Sequence, residues 1–167
     1  RQYDVRGLVG AELTPELARG LGRAVASLSW DRLSRAPTIA VGQDNRPSGV
    51  SLAAGVRAGI AEAGGRAIDV GQLPTPALYF ATHALGVQGG VQVTGSHNPP
   101  EFNGFKMVLA GEALHGEDIV LLHDMIERET WRSGTGSETA NGSVLSKYRD
   151  AIVGRHHLRR PVKVVVD

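Results

Sequence analysis

A hydroxyl at Ser96, an imidazole at His97 and an ammonium at Lys106 fall within one short stretch, VTGSHNPPEFNGFKM, residues 93–107. Gly95, Asn98, Pro99 and Pro100 are what a stiff turn needs, because each permits or fixes an unusual backbone angle. A turn does not need the other three. Ser96 follows a short apolar run, Val91 to Val93, and small neighbours leave its hydroxyl accessible. A serine held on a stiff, open turn can act as a nucleophile. A cation near its oxygen suits phosphoryl transfer, in which charge builds on non-bridging oxygens and must be stabilised. The competing readings are an ordinary turn serine, a serine hydrolase, or a loop that binds an anion without chemistry. A hydrolase elbow, Gly-x-Ser-x-Gly, is missing: Thr94 and Asn98 stand where its glycines belong.

The elements that must position these groups follow from periodicity. Thr14 and Pro15 start a helix whose stripe is Leu17, Leu21, Val25 and Leu28, expected to end near Trp30. TIAVG at 38–42 reads as a buried strand. A helix carrying Leu52, Val56 and Ile60 stops at Gly64 and Gly65; RAIDVG gives the next strand, a helix follows Pro74, and GGVQV at 89–93 is a third strand. Two consecutive βαβ units predict an α/β fold, a parallel sheet covered by helices, with ligands bound at the strand ends. FKMVLAGEAL reads as a strand with a turn at 110–112, and Ile119, Leu122 and Ile126 mark a helix over 117–129. The polar, glycine-rich run 133–143 is expected to be a mobile loop, 144–154 a last helix, and the closing VKVVV a strand.

Composition narrows the class. The 167 residues are 41% apolar and 21% charged, as in ordinary globular domains, and 18 basic against 17 acidic side chains leave a net charge of +1. Neither a nucleic acid nor a membrane is implied as partner, so an anionic ligand must be held locally. With no cysteine there is no disulfide framework or thiolate metal site, and no apolar stretch reaches the ~18 residues of a membrane span. These features point to a cytoplasmic location. His83, His115, His123, His156 and His157 lack metal-ligand spacing, and NGS at 141–143 is a chance match to a glycosylation acceptor.

The stretch TGSHNPPEFNGFKM resembles the phosphoserine loop of the α-D-phosphohexomutases. YDVRG at 3–7, VGQDNRPSG at 41–49 and VGQLPTPALYF at 70–80 resemble three further motifs of that family, in the family's order. The resemblance covers essentially the whole chain as the first of four domains, and implies for it an α/β fold in three layers, a mixed, mainly parallel sheet flanked by helices. It implies a domain over 1–155 that carries the phosphoserine, then a linker and the first strand of a second domain over 156–167. Both ends look cut.

That resemblance implies an intramolecular phosphotransferase of the phosphoglucomutase or phosphomannomutase kind, an isomerase of carbohydrate metabolism that interconverts hexose 6-phosphate and hexose 1-phosphate. Ser96 would be the catalytic phosphoserine, with a hexose 1,6-bisphosphate as intermediate and activator. Magnesium would be bound through the Ser96 phosphate, its other ligands being aspartates of the second domain. Arg6 and Lys106 match active-site cations, and His97 would orient the serine loop or shuttle a proton. Tyr3, Asn98 and Arg46 are candidate substrate-binding residues, Arg46 with bracing of the loop as its alternative. Gln43 departs from the family, where many members carry arginine. Gly95 leans toward the glucose/mannose enzymes, since the glucosamine mutases usually have alanine there. The remaining domains of the same polypeptide would complete the site, and the fragment alone would be inactive.

Overall fold

The computed structural model describes residues 4–166. In chain order its elements are β1 (Val5–Leu8), α1 (Pro15–Leu33), β2 (Thr38–Gln43), α2 (Pro47–Glu62), β3 (Arg66–Gln72), α3 (Thr75–Ala84), β4 (Gly89–Val93), β5 (Phe102–Leu109), β6 (Glu112–Ala113), α4 (Glu117–Glu127), β7 (Ser137–Ala140) and α5 (Val144–Val153). The strands form one sheet in the order β1-β5-β4-β2-β3-β7, with β6 paired to β5. β2 runs parallel to β3 and to β4, and β3 parallel to β7; only β5 is reversed, antiparallel to β1, β4 and β6.

Period-two burial sorts the strand residues into two cores. Ile39, Val41, Val91, Val93, Phe105 and Met107 pack with α1, α2 and α4, whereas Ala40, Ile68 and Val70 pack with α3 and with Val144 of α5. β2 thus presents side chains to helices on both faces, which is why it reads as a continuous apolar run. The parallel pairing expected from the two βαβ units is observed, in the mixed three-layer arrangement that the resemblance implies.

Thr14 caps α1 as its sequence suggests, its Oγ1 accepting from the Leu17 amide at 3.2 Å. The helix runs three residues past Trp30 and ends at Ser34, which adopts the left-handed conformation at φ 53°. α1 and α2 approach backbone to backbone. A Cβ at Gly22 would lie 2.2 Å from the Val56 carbonyl oxygen, and one at Gly59 would lie 2.0 Å from that of Arg19.

Two sequence expectations need correction. The run 133–143 is not simply a loop, because β7 lies within it as an edge strand on β3. Backbone bonds dock it: the Gly134 amide donates to Glu62, that of Gly136 to Ala61, and that of Ser137 to Gly65. All four β7 residues are exposed, so no apolar alternation marks it, as is common for strands at an edge. The second concerns the closing VKVVV, where no strand forms over the described residues 161–166 and Val165 is 89% exposed. A lone strand needs a neighbour to take its backbone hydrogen bonds, and these valines have none here.

Candidate active site

The parallel pairing of β2 with β4 sets Gln43 beside Val93, so the loops that leave their carboxyl ends start side by side. The Asp44 amide donates to the Val93 carbonyl at 2.9 Å, extending the ladder by one step. Asp44 is the hub of the first group of site residues. Its Oδ2 accepts from the Thr94 hydroxyl at 2.8 Å and the Gly95 amide at 3.2 Å, and its Oδ1 accepts from the Arg46 amide at 3.0 Å.

Arg46 then grips the loop from below. Its Nη1 donates to the carbonyls of Pro99 (2.7 Å) and Phe102 (2.9 Å), and its Nη2 to those of Asn98 (2.7 Å) and Ser96 (3.3 Å). Its Nε lies 3.3 Å from Asp44 Oδ2. A guanidinium has five N–H donors; the four on Nη1 and Nη2 are spent on loop carbonyls, and Nε stands in ion-pair contact with Asp44. Arg46 therefore braces the loop. Gly95 makes the grip possible, since a Cβ there would sit 2.4 Å from Arg46 Cζ.

Held this way, Ser96 adopts φ 54°, a left-handed conformation that costs a non-glycine residue about 1–2 kcal/mol. Its side chain is exposed, and its amide donates to Thr94 Oγ1 at 3.0 Å. Asn98 is half-buried, one of its two Nδ2 hydrogens donating to the Gly95 carbonyl at 2.8 Å and so tying the side chain to the loop. Buried Asn103 locks the far end, donating to Ser48 Oγ at 2.9 Å while its Oδ1 accepts from the Gly104 amide. His97 is exposed beside Ser96, and no hydrogen bond from its side chain to another described residue is formed.

The second group lies across β5. Antiparallel pairing puts Arg6 opposite Gly104 and Val5 opposite Phe105, so continuing the register by one residue sets Asp4 opposite Lys106. Because alternate residues share a face of the sheet, Asp4, Arg6 and Lys106 converge. Asp4 Oδ2 accepts from Arg6 Nε at 2.8 Å, from Arg6 Nη2 at 2.6 Å and from Lys106 Nζ at 3.1 Å. Burial would push the Asp4 carboxyl up, but the hydrogen bonds from Arg6 and Lys106 outweigh it and hold it below its ordinary value.

The two groups meet at Gly104, whose carbonyl accepts from the Thr94 amide at 2.9 Å. A side chain there would meet Arg6 Cγ at 3.1 Å and the Thr94 carbonyl at 3.3 Å. Two cations thus stand one strand away from the base of the Ser96 loop. Tyr3 lies outside the described residues. Sequence reasoning missed Asp4, Asp44, Thr94 and Asn103 as site residues. Each lies inside a quoted motif, but a side chain that acts by bonding its neighbours shows no separate pattern.

Comparison with known proteins agrees with this architecture. The family model for "Phosphoglucomutase/phosphomannomutase, alpha/beta/alpha domain I" matches residues 1–133. The chain is 44% identical over its whole length to a phosphomannomutase/phosphoglucomutase of Pseudomonas aeruginosa, and 39% identical to a phosphoglucomutase of Neisseria gonorrhoeae. It spans 35% and 36% of those proteins, about a third of their length. A crystal structure of a phosphoglucomutase/phosphomannomutase family protein from Burkholderia thailandensis superposes with a TM-score of 0.88 at 37% identity, covering 97% of this chain and 36% of that one. With the motifs, the three-layer fold and the serine loop in agreement, the chain belongs to the phosphoglucomutase/phosphomannomutase family, to whose α/β/α domain I it corresponds.

Proposed function

We propose that this chain is the phosphoryl-carrying domain of a hexose-phosphate mutase acting on glucose or mannose phosphates, and that Ser96 is the carrier. The observation that carries the reading is the Ser96 loop itself. One exposed hydroxyl stands on a residue in a left-handed conformation, in a loop whose carbonyls take all four Nη hydrogens of one arginine. Such expense of backbone strain and hydrogen bonding on an exposed serine has no use in a plain turn, whereas group transfer needs a fixed oxygen.

In the forward step a sugar hydroxyl oxygen bonds to phosphorus as the Ser96 Oγ–P bond breaks, and the hydroxyl proton passes to a base. The serine oxygen leaves as alkoxide and takes up a proton. The product is a hexose 1,6-bisphosphate. After this intermediate reorients, Ser96 Oγ attacks its other phosphate and recovers a phosphoryl group, so phosphate has moved between C6 and C1. Arg6 and Lys106 offer positive charge to the non-bridging oxygens, which carry the developing charge. In this reading His97, the next residue in the sequence, orients the serine loop or moves the proton.

The described residues contain no group of three or more His, Cys, Asp or Glu able to hold a metal ion, and Asp44 is already committed to the loop. These residues alone do not fit magnesium. In this reading the ion is held by the phosphate on Ser96 together with acidic ligands outside the chain, and no step is derived through it. Phosphorylated hexose and the remaining domains of one cytoplasmic polypeptide are the partners.

The test is phosphopeptide mass spectrometry of the full-length polypeptide after incubation with a hexose 1,6-bisphosphate. We expect one phosphate, on Ser96, and none in Ser96→Ala, which also loses mutase activity. Phosphate on another residue, or Ser96→Ala turning over normally, overturns the assignment.

A further inference from the structure

Asp4 was silent in the sequence, yet it is the residue on which both candidate cations close. It is 4% exposed, and a carboxylate buried so far requires charged or hydrogen-bonding partners, because its desolvation costs several kcal/mol. Its partners arrive from two strands: Arg6 from its own β1, two residues on, and Lys106 from β5, directly across the register. Without an anion between them, a guanidinium and an ammonium brought this close would repel and spread apart. We propose that Asp4 is a positioning residue for phosphoryl transfer: its carboxylate fixes Arg6 and Lys106 as one cationic unit beside the Ser96 loop.

The distribution of donors separates this unit from a structural ion pair. Arg46 spends all four Nη hydrogens on carbonyls of its own protein and sets Nε against Asp44. Arg6 gives Asp4 only Nε and one Nη2 hydrogen, and Lys106 gives it one of three, so among the described residues both cations keep donors in reserve. Their side chains are 23% and 27% exposed, against 15% for Arg46. Two cations and one carboxylate leave a net single positive charge, with free donors, in the row of the sheet that also holds Thr94. That is the composition a phosphate monoester would meet. By contrast the Glu62 carboxylate joins Arg19 and Arg23 between α1 and α2, two helices, and bonds to no residue of the serine loop.

The role of the unit in turnover rests on the mutase reading; the positioning of the two cations by Asp4 does not. Two measurements on the full-length polypeptide therefore separate them. The first is a double-mutant cycle in kcat. Misplacing a positioned group by about an ångström can cost on the order of a hundredfold, and we expect Asp4→Asn to lower kcat by at least about tenfold with little change in KM. In a Lys106→Met background the same substitution should cost distinctly less, because part of what it acts through is gone. Full multiplicativity, or an Asp4→Asn enzyme with nearly normal kcat, overturns the proposal. The second measurement needs no mutase activity. A lysine nitrogen tied to a carboxylate is held away from an acylating reagent, so limiting acetylation read by peptide mass spectrometry should label Lys106 several-fold faster in Asp4→Asn, relative to exposed Lys147 as internal standard. Unchanged relative labelling overturns the positioning role even if Ser96 is phosphorylated. An inactive wild-type enzyme with faster Lys106 labelling in the variant sinks the mutase reading and leaves the positioning of the cations standing. If Asp4→Asn does not fold, Asp4→Glu, which keeps the charge but shifts it by one methylene, takes its place in both arms.

Discussion

Arg46 and Arg6 carry the same guanidinium and are put to different uses. The difference lies in what their strands bring near them. Arg46 follows β2, whose parallel neighbour β4 delivers a loop rich in carbonyls, and it satisfies four of them. Arg6 faces Gly104, which offers no side chain, and retains donors. A lysine at position 46 would keep the charge but has three donors on one nitrogen in place of a planar fork of five. We expect Arg46→Lys and Arg46→Ala alike to speed hydrogen exchange at the Asn98 and Phe102 amides by about tenfold or more, equivalent to roughly 1.4 kcal/mol of lost local stability. Restoration of full protection by lysine would mean that charge alone holds the loop.

At the level of elements, the α1–α2 contact shows how helix glycines differ. Replacing a helix glycine by alanine is ordinarily favourable by about 1 kcal/mol through propensity alone. At Gly59 that gain is overwhelmed, because the new Cβ would fall 2.0 Å from a backbone oxygen of α1, and backbone cannot swing aside as a side chain can. Gly59→Ala should cost about 2 kcal/mol or more in denaturant unfolding, as overpacking does. Gly20, on α1, is the contrasting case: its Cβ would meet Ile126 at 3.7 Å and Trp131 at 3.9 Å, ordinary contact distances. Gly20→Ala should stabilise by up to about 1 kcal/mol. Stabilisation by both variants would show that helix propensity, not the helix contact, decides.

For the whole molecule, two carboxylates tie distant segments and should govern its response to acid. Asp4 joins β1 to β5. Glu62 joins α2 to α1, its carboxyl held below the ordinary value chiefly by its hydrogen bond with Arg19, against burial and with help from Arg23. A depressed carboxyl takes up protons more readily unfolded than folded in the acid range, so each contribution is present at neutral pH and lost as pH falls through the folded value. Glu62 is partly exposed, and solvent screening makes its share the smaller. We expect the urea midpoint to fall as pH drops from 7 to below about 4, the carboxylate range. Asp4→Asn should start lower at neutral pH and lose less. Parallel curves for the two proteins would remove Asp4 from the acid response.

The sequence by itself determined the layered α/β plan and the serine loop. Both rest on local signals: apolar periods of two and 3.6 residues, caps such as Thr14, and a run of turn residues carrying Ser96. It also held β7 and the partnerships of Asp4, Asp44 and Arg46, but only implicitly. β7 is a polar edge strand that exists because backbone groups of 134–137 dock on 61–65, and no residue pattern records a docking of backbone on backbone. Arg46 lies about 50 positions from the loop that it braces, and Asp4 is 102 positions from Lys106. Ligand contact and loop bracing call for the same residue type at the same place in a motif. Only strand order and register decided which groups each cation met, and with that, which one kept donors unspent.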